Sequence, residues 1–550
     1  VKKVFLVVTL LMLTLISVLA ASVFLGLPEQ QHYSSYSMPN DVTTLDQNWS
    51  DDIRQQVNFT SFGSRLIPYE WFLYLELAGR SEYFRSDESV KKMGFVPQQV
   101  SESNPNGLPI GFAKDLDETG QEWVGFSCSS CHSRQLTYQD HTLFIDGGPG
   151  LLNFPLFEKT IYRALLAVRD NQEKQQLFIE RIQLADSDYE QFIAMLNERI
   201  GFLERRFATN VSELPYGYGR MDGLGLIFNT IATVGLGMPD NFRVIDAPVN
   251  MPVLWDAPHQ DQVQWNGSVP NMEPGPLLQN SATALVAYGN INILSEGLGY
   301  ESTIPIKNLG YVQQHYYDLK SPPWPENILG ALDKNKLSEG KKLYQANCIG
   351  CHAVLDRAVD DHKTEVKIIA LDEIGTDPKM AENFVNFMSD TGSLEKEKML
   401  LVAGQGFGKK AHAFEILTNA VVGSLLRQPL NTVTAIVSEY ADPGRGEVNL
   451  ERLAYKARPL NGVWASAPYL HNGSVPSLYD LLSSPNDRPK AFYVGSTEIN
   501  PTKVGLVTDQ VEYSTLFDTS LLGNFNTGHE FGTSLSDAQK WALVEYLKSL

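Results

Sequence analysis

The sequence predicts a mainly α protein in two halves, each built around one Cys-x-x-Cys-His motif, and three observations predict it. The motif occurs at Cys128-Ser129-Ser130-Cys131-His132 and again at Cys348-Ile349-Gly350-Cys351-His352, and together the copies use all four cysteines. Helical periodicity follows the first copy and brackets the second. Between them, Leu214 to Gln279 is dense in Gly, Pro, Trp and Asn with little periodicity. A histidine directly after a CxxC pair is the c-type haem attachment pattern: the thiols add to the two vinyl groups, and the next residue sets an imidazole under the iron. Zinc ribbons space their pairs far closer than the two hundred and more residues found here. Thioredoxin-like redox centres have no need of the histidine. The expected architecture is two cytochrome c-like haem domains with long irregular loops and an embellished N-terminal half, carrying two covalently attached haem c groups.

Taken in order, Lys2 and Lys3 precede an uncharged apolar run from Val4 to Leu27, so residues 1–27 read as a signal peptide or a membrane anchor. Val18-Leu19-Ala20 offers a small-residue cleavage site, and both readings stay open. Either one makes the body of the chain periplasmic or secreted. Residues 28–50 are polar and read as a linker, with regular structure starting near Asp51. The N-terminal haem domain, with insertions, spans 51–325. In it, Pro68 to Glu76 reads as an aromatic, half-buried helix, and Leu143-Phe144-Ile145 as an apolar run ending in a forced turn at Gly147-Gly148-Pro149-Gly150. Phe157 to Leu203 reads as two long helices. Pro322-Pro323-Trp324-Pro325 is a stiff connector.

The C-terminal cytochrome c domain spans 326–550. Ser338 is placed to cap a helix running into Cys348. Ser536-Asp537-Ala538-Gln539 is a capping box opening a final helix through Trp541 and Tyr546, whose aromatic face should pack on the helix leading to Cys348. Composition adds an exclusion. The net charge of −20, from 44 basic and 64 acidic residues with no long basic run, argues against nucleic acid as a partner.

Several stretches together are specific enough to carry a resemblance: Leu66-Ile67-Pro68-Tyr69-Glu70-Trp71-Phe72, Ile145-Asp146-Gly147-Gly148-Pro149, Tyr218-Gly219-Arg220-Met221-Asp222, Val263-Gln264-Trp265-Asn266-Gly267, Arg458 to Trp464, Ala467-Pro468-Tyr469-Leu470-His471-Asn472-Gly473, and Asn526 to Gly532. The chain resembles the bacterial di-haem cytochrome c peroxidase superfamily, and within it the rubber oxygenase-like branch. It departs at one place, where Gln260 separates His259 from Asp261. The resemblance implies that Trp265 stands between two haems as an electron relay and that Asn280 lines the distal pocket of the first. It also implies a calcium ion held between domains through the carbonyls of Ser466 and Pro468.

Haem iron takes one proximal ligand from each motif, His132 and His352, and the ligand opposite decides the role. For the second haem the candidate is His529, in a Gly-rich loop shortly before the final helix. The first haem has no comparable candidate, so its open face is the expected active site; His141 reads as a surface loop residue. His471 is expected at a haem propionate. His32, His315, His362 and His412 show no motif and are assigned to the solvated surface.

The resemblance implies an exported di-haem oxidoreductase that activates O2 at the N-terminal haem to oxidise an unsaturated hydrophobic or polyisoprenoid substrate. Two alternatives stand beside it. One is a peroxidase reducing H2O2 with electrons from a small redox cytochrome; the other is a non-enzymatic electron-transfer cytochrome.

Overall fold

A computed structural model describes residues 38, 41–101, 104–271, 275–360, 363–401, 403–437 and 448–550. The expected signal or anchor, His32 and His362 lie outside the described residues. Among the described residues no helix is long and apolar enough to cross a membrane. Helix makes up 39% and strand 15%, so the fold is mixed α/β rather than mainly α.

The strands gather around the first motif. Phe112–Leu116 and Glu122–Phe126 form a hairpin, with Ile67–Pro68 paired to the second strand. Its turn is closed by the Asp117 carboxylate, which accepts from the backbone N–H of Thr119 and Gln121. Ser133–Tyr138 and His141–Asp146 form another hairpin, and Val42–Thr44 adds to it in parallel. Among the described residues, regular structure therefore begins at Val42 rather than near Asp51. Residues just after that strand are built in as well: the Gln47 amide bonds the Asp146 carbonyl, and the Trp49 indole bonds that of His315. The half-buried aromatic helix is present as Tyr69–Tyr74.

The stretch expected as two helices is three: Phe154–Asp170, Gln172–Arg181 and Tyr189–Thr209. Asn171 ends the first and caps the second, its side chain accepting from Lys174 N–H, which breaks the run. The irregular middle holds the helix Gly223–Asn229, capped by Asp222, which passes directly into a π-helix at Thr230–Gly235. Single π turns interrupt α-helices mostly at functional sites.

In the second half Lys334–Asn347 leads into Cys348, but its cap is Asp333; Ser338 lies inside the helix. The capping box at Ser536 opens Asp537–Lys548 as expected. These two helices cross, with the Tyr344 and Tyr546 ring centroids 5.3 Å apart. Gly340 permits the crossing, because a Cβ there would lie 2.0 Å from the Ala542 carbonyl oxygen. Backbone cannot yield as a flexible side chain can, so Gly340→Ala is expected to cost about 3 kcal/mol. A lowered thermal midpoint in calorimetry checks this, and an unchanged midpoint refutes it.

Two large apolar clusters draw on sequence from both sides of Pro325. One joins Phe112, Phe126 and Phe157 to Phe384 and Ile416. The other joins Trp255 and Leu319 to Trp464 and Leu543, and both Cys128 and Cys348 pack against it.

Candidate functional site

The two motifs adopt the same turn. Cys128–Ser130 is one turn of 3-10 helix, with Cys131 N–H and His132 N–H both reaching the Cys128 carbonyl at 3.3 and 3.1 Å. At the second motif Cys351 and His352 reach the Cys348 carbonyl at 3.0 and 2.8 Å. The first turn is pinned from both sides. Ser127 Oγ accepts from Ser129 N–H and donates to the Asn58 carbonyl. Gly111 (φ +93) passes so close that a Cβ would lie 2.3 Å from Ser130 Cα. All four thiols are unpaired with one another.

Each motif histidine is oriented alike. His132 Nδ1 lies 2.9 Å from the Pro252 carbonyl oxygen and His352 Nδ1 lies 2.7 Å from that of Arg458. A carbonyl only accepts, so Nδ1 carries the proton and Nε2 keeps its lone pair for a metal. Burial pushes His132 down to about 4 and lowers His352, which keeps both imidazoles neutral.

Beyond this the two sites differ. The His352 ring faces His529, with centroids 6.2 Å apart. Metal–imidazole bonds of about 2 Å on each side, plus the ring radii, set facing imidazoles about 6 Å apart around one ion. Burial, then His352 and Arg488, push His529 down to about 3, so it too is a neutral donor. Its loop is held by the His529 N–H on the Ile374 carbonyl and by Arg488, whose guanidinium bonds the carbonyls of Asn526 and Gly528.

His132 instead faces a cavity of about 320 Å³, and no second histidine appears among its described lining residues. Met221, Leu224, Ile227, Val253, Leu309 and Val312 are among its apolar wall residues. Trp265 and Asn280 line it as well. The Trp265 indole bonds the Asn250 carbonyl at 3.2 Å, and the Asn280 amide donates to Gln313 Oε1 at 2.9 Å.

The other histidines fall as follows. His471 lies outside the cavity lining and stacks on Tyr455 at 3.9 Å; burial and Arg220 push it down to about 3. His141 is exposed at a hairpin end. His259 is buried and bonds the Tyr317 carbonyl. His412 corrects the surface assignment: it is 4% exposed, its Nε2 bonds the Phe384 carbonyl, and its Nδ1 caps the helix Ala413–Arg427. His315 is half-buried, against Tyr311.

Sequence reasoning passed over the buried cations. Lys456 and Arg458 reach the cavity wall, and burial pushes them down to about 7 and about 10. Arg134 and Arg220 are fully buried, and each keeps two guanidinium nitrogens without an acceptor. Buried donors without acceptors are costly, so the protein alone leaves Arg134 and Arg220 wanting acceptors, while Lys456 donates to Gln260 and Gln262 and Arg458 to Ser466. The two propionates of a haem supply that chemistry, and the donor set fits such a group. For Lys456 and Arg458 a signal was legible, as basic residues set among apolar ones in Ala454-Tyr455-Lys456-Ala457-Arg458.

Calcium fits poorly. The Arg134 guanidinium holds the Ala467 carbonyl at 2.7 Å and the Asn250 amide holds that of Pro468 at 2.7 Å. A fixed cation beside those oxygens repels a second one. Among the described residues no three His, Cys, Asp or Glu side chains gather into a metal site.

Comparison with known proteins adds three findings. Residues 454–493 match a family model described as RoxA-like, cytochrome c-like, which supports haem c binding. Two cytochrome c-like domains were expected; this match shows one, and it includes Arg458 and His471 but neither CxxCH motif. The chain is 31% identical to the uncharacterized protein y4iJ of Sinorhizobium fredii, over 94% of each chain. It is 26% identical to the uncharacterized protein y4iM of the same organism, over 54% of this chain and 64% of that one.

Proposed function

Since the chain belongs to the family of the Sinorhizobium fredii protein y4iJ and carries a RoxA-like cytochrome c segment, we propose that it is an exported di-haem oxidoreductase acting with O2 on an unsaturated hydrophobic substrate. The observation carrying this reading is the asymmetry of the two motifs. His352 is matched by a second imidazole at 6.2 Å, whereas His132 looks into a largely apolar cavity of about 320 Å³. Two closed sites would suit conduction alone; one closed and one open site suit an electron store beside a reaction chamber.

Haem bound through Cys128, Cys131 and His132 supplies the iron at which O2 is activated. The residues around it do the rest. Pro252 fixes the proximal imidazole through Nδ1, the apolar wall keeps bulk water out, and Asn280 with Gln313 offers the few polar groups near the open face. Lys456 and Arg458, on the cavity wall, would neutralise the carboxylates of a haem held there. Trp265, on the same wall, is read as the relay that passes an electron between the two motifs. The lining favours an organic substrate over peroxide, since the wall left around a haem at this motif is largely apolar. Cleavage of a carbon–carbon double bond by O2 puts both oxygen atoms into two carbonyl products, so no external reductant is consumed.

The test is ligand binding followed by turnover. Imidazole should bind the resting protein at one of its haems, and CO should bind that same haem once it is reduced. O2 uptake should follow on an unsaturated fatty acid or polyisoprenoid without added reductant. A first haem that opens only after the second is reduced, with H2O2 consumed at the expense of a small reduced cytochrome, returns the protein to the peroxidase alternative.

A further inference from the structure

A second, smaller cavity of about 180 Å³ lies beside the first, walled by Phe228, Ile245, Phe384 and Phe387. Two residues, Leu224 and Met380, belong to the walls of both cavities. Leu224 sits at the start of Gly223–Asn229, the helix that runs on into the π-helix, and Met380 at the start of Lys379–Asn386. An unbranched methionine and a leucine are a movable partition rather than a fixed wall.

The outer cavity has a wet rim. Arg243, Val244 and Asn386 are exposed there. The Arg243 guanidinium bonds the backbone carbonyls of Phe242 and Met388, and among the described residues no carboxylate pairs with it. Neighbouring charges are already matched. Lys379 pairs with Asp246 at 3.0 Å, and the buried Asp222 carboxylate accepts from the N–H of Gly225 and Ala247. The rim thus offers one cation that bonds two backbone carbonyls and, among the described residues, no carboxylate, and behind it lie two apolar chambers.

We propose that the outer cavity is the entry chamber for a chain-shaped apolar ligand with an anionic head, whose tail passes between Leu224 and Met380 to reach the first motif while Arg243 holds the head. A constriction between two narrow chambers admits an extended hydrocarbon and turns away a bulky one, and the cation at the mouth selects a carboxylate. The proposal rests on the open-site reading above and specifies its substrate as a long-chain carboxylate entering tail first.

The experiment uses the full haem-loaded protein and an imidazole tethered to the end of a dodecanoate chain, with free imidazole and the same tether lacking the carboxylate as references. Binding is read from the haem absorption, without turnover. Met380→Trp and Leu224→Trp should each slow the tethered acid by about tenfold or more and affect the smaller free imidazole far less. Leu224→Ala should speed it, which separates a widened gate from a damaged fold. Arg243→Ala should weaken the tethered acid by about tenfold and leave the uncharged tether unaffected. A tethered acid that binds the partition variants as it binds the wild type overturns the route, and a tethered acid that binds Arg243→Ala as tightly as it binds the wild type overturns the anionic head. Failure of free imidazole to bind the wild type is a different outcome: it overturns the open-site reading, and the route falls with it.

Discussion

Cys128→Ala with Cys131→Ala should leave a protein holding one covalent haem, and Cys348→Ala with Cys351→Ala should do the same. Mass spectrometry of the denatured chain reads the number directly, because only thioether-bound haem survives denaturation. The matched turns and matched Nδ1 contacts of the two motifs are the reason to expect one haem at each. The first pair should also weaken the fold more broadly. Emptying a cavity of about 320 Å³ costs several kcal/mol, taking about 24 cal/mol per Å³ of void. Two haems in either variant, or none in the unaltered protein, would end the account.

Replacing His529 with Ala should convert one iron from low to high spin while leaving the other unchanged. His529 is the group whose ring stands opposite His352 at the separation a shared metal requires. Burial keeps it neutral, so its lone pair is available throughout the neutral range. Added imidazole should restore the low-spin signal in the variant, which a merely structural role for His529 does not explain. EPR and optical spectra of the resting protein check both halves. A low-spin population that persists in His529→Ala moves the ligand elsewhere.

The second half of the chain was more legible than the first, for a physical reason. The final helix announces itself through a capping box and an aromatic face, both local signals, and it stands where the sequence places it. The cap at Asp333 was missed because Ser338 also satisfies the local rule; only the backbone decides which residue leaves the helix. Around the first motif the strands are two to six residues long, and hairpins of that length carry little periodicity. Their turns did carry a signal, the Asp117 carboxylate receiving two N–H groups, but it is visible only once a turn is suspected. Of the candidate site, the CxxCH residues, His529, Trp265 and Asn280 were readable as motif or resemblance. Arg134 and Arg220 were not, because a buried arginine and a surface arginine look the same in sequence. The surface assignment of His412 failed in the same way: its cap and its carbonyl partner come from elements that only folding brings together.

The chamber facing His132 is walled by residues from far down the chain, Met380, Lys456 and Arg458 among them, and Arg134 bonds a carbonyl at Ala467, 333 residues later. Wherever the chain folds, the first motif has no ceiling until the second half of the chain has joined it. Until then the thiols of Cys128 and Cys131 are reachable from outside, and in the folded chain they are half-buried in the cavity wall. Biosynthesis thus gives this site an order of assembly, in which anything to be attached there arrives before the second half of the chain closes over it.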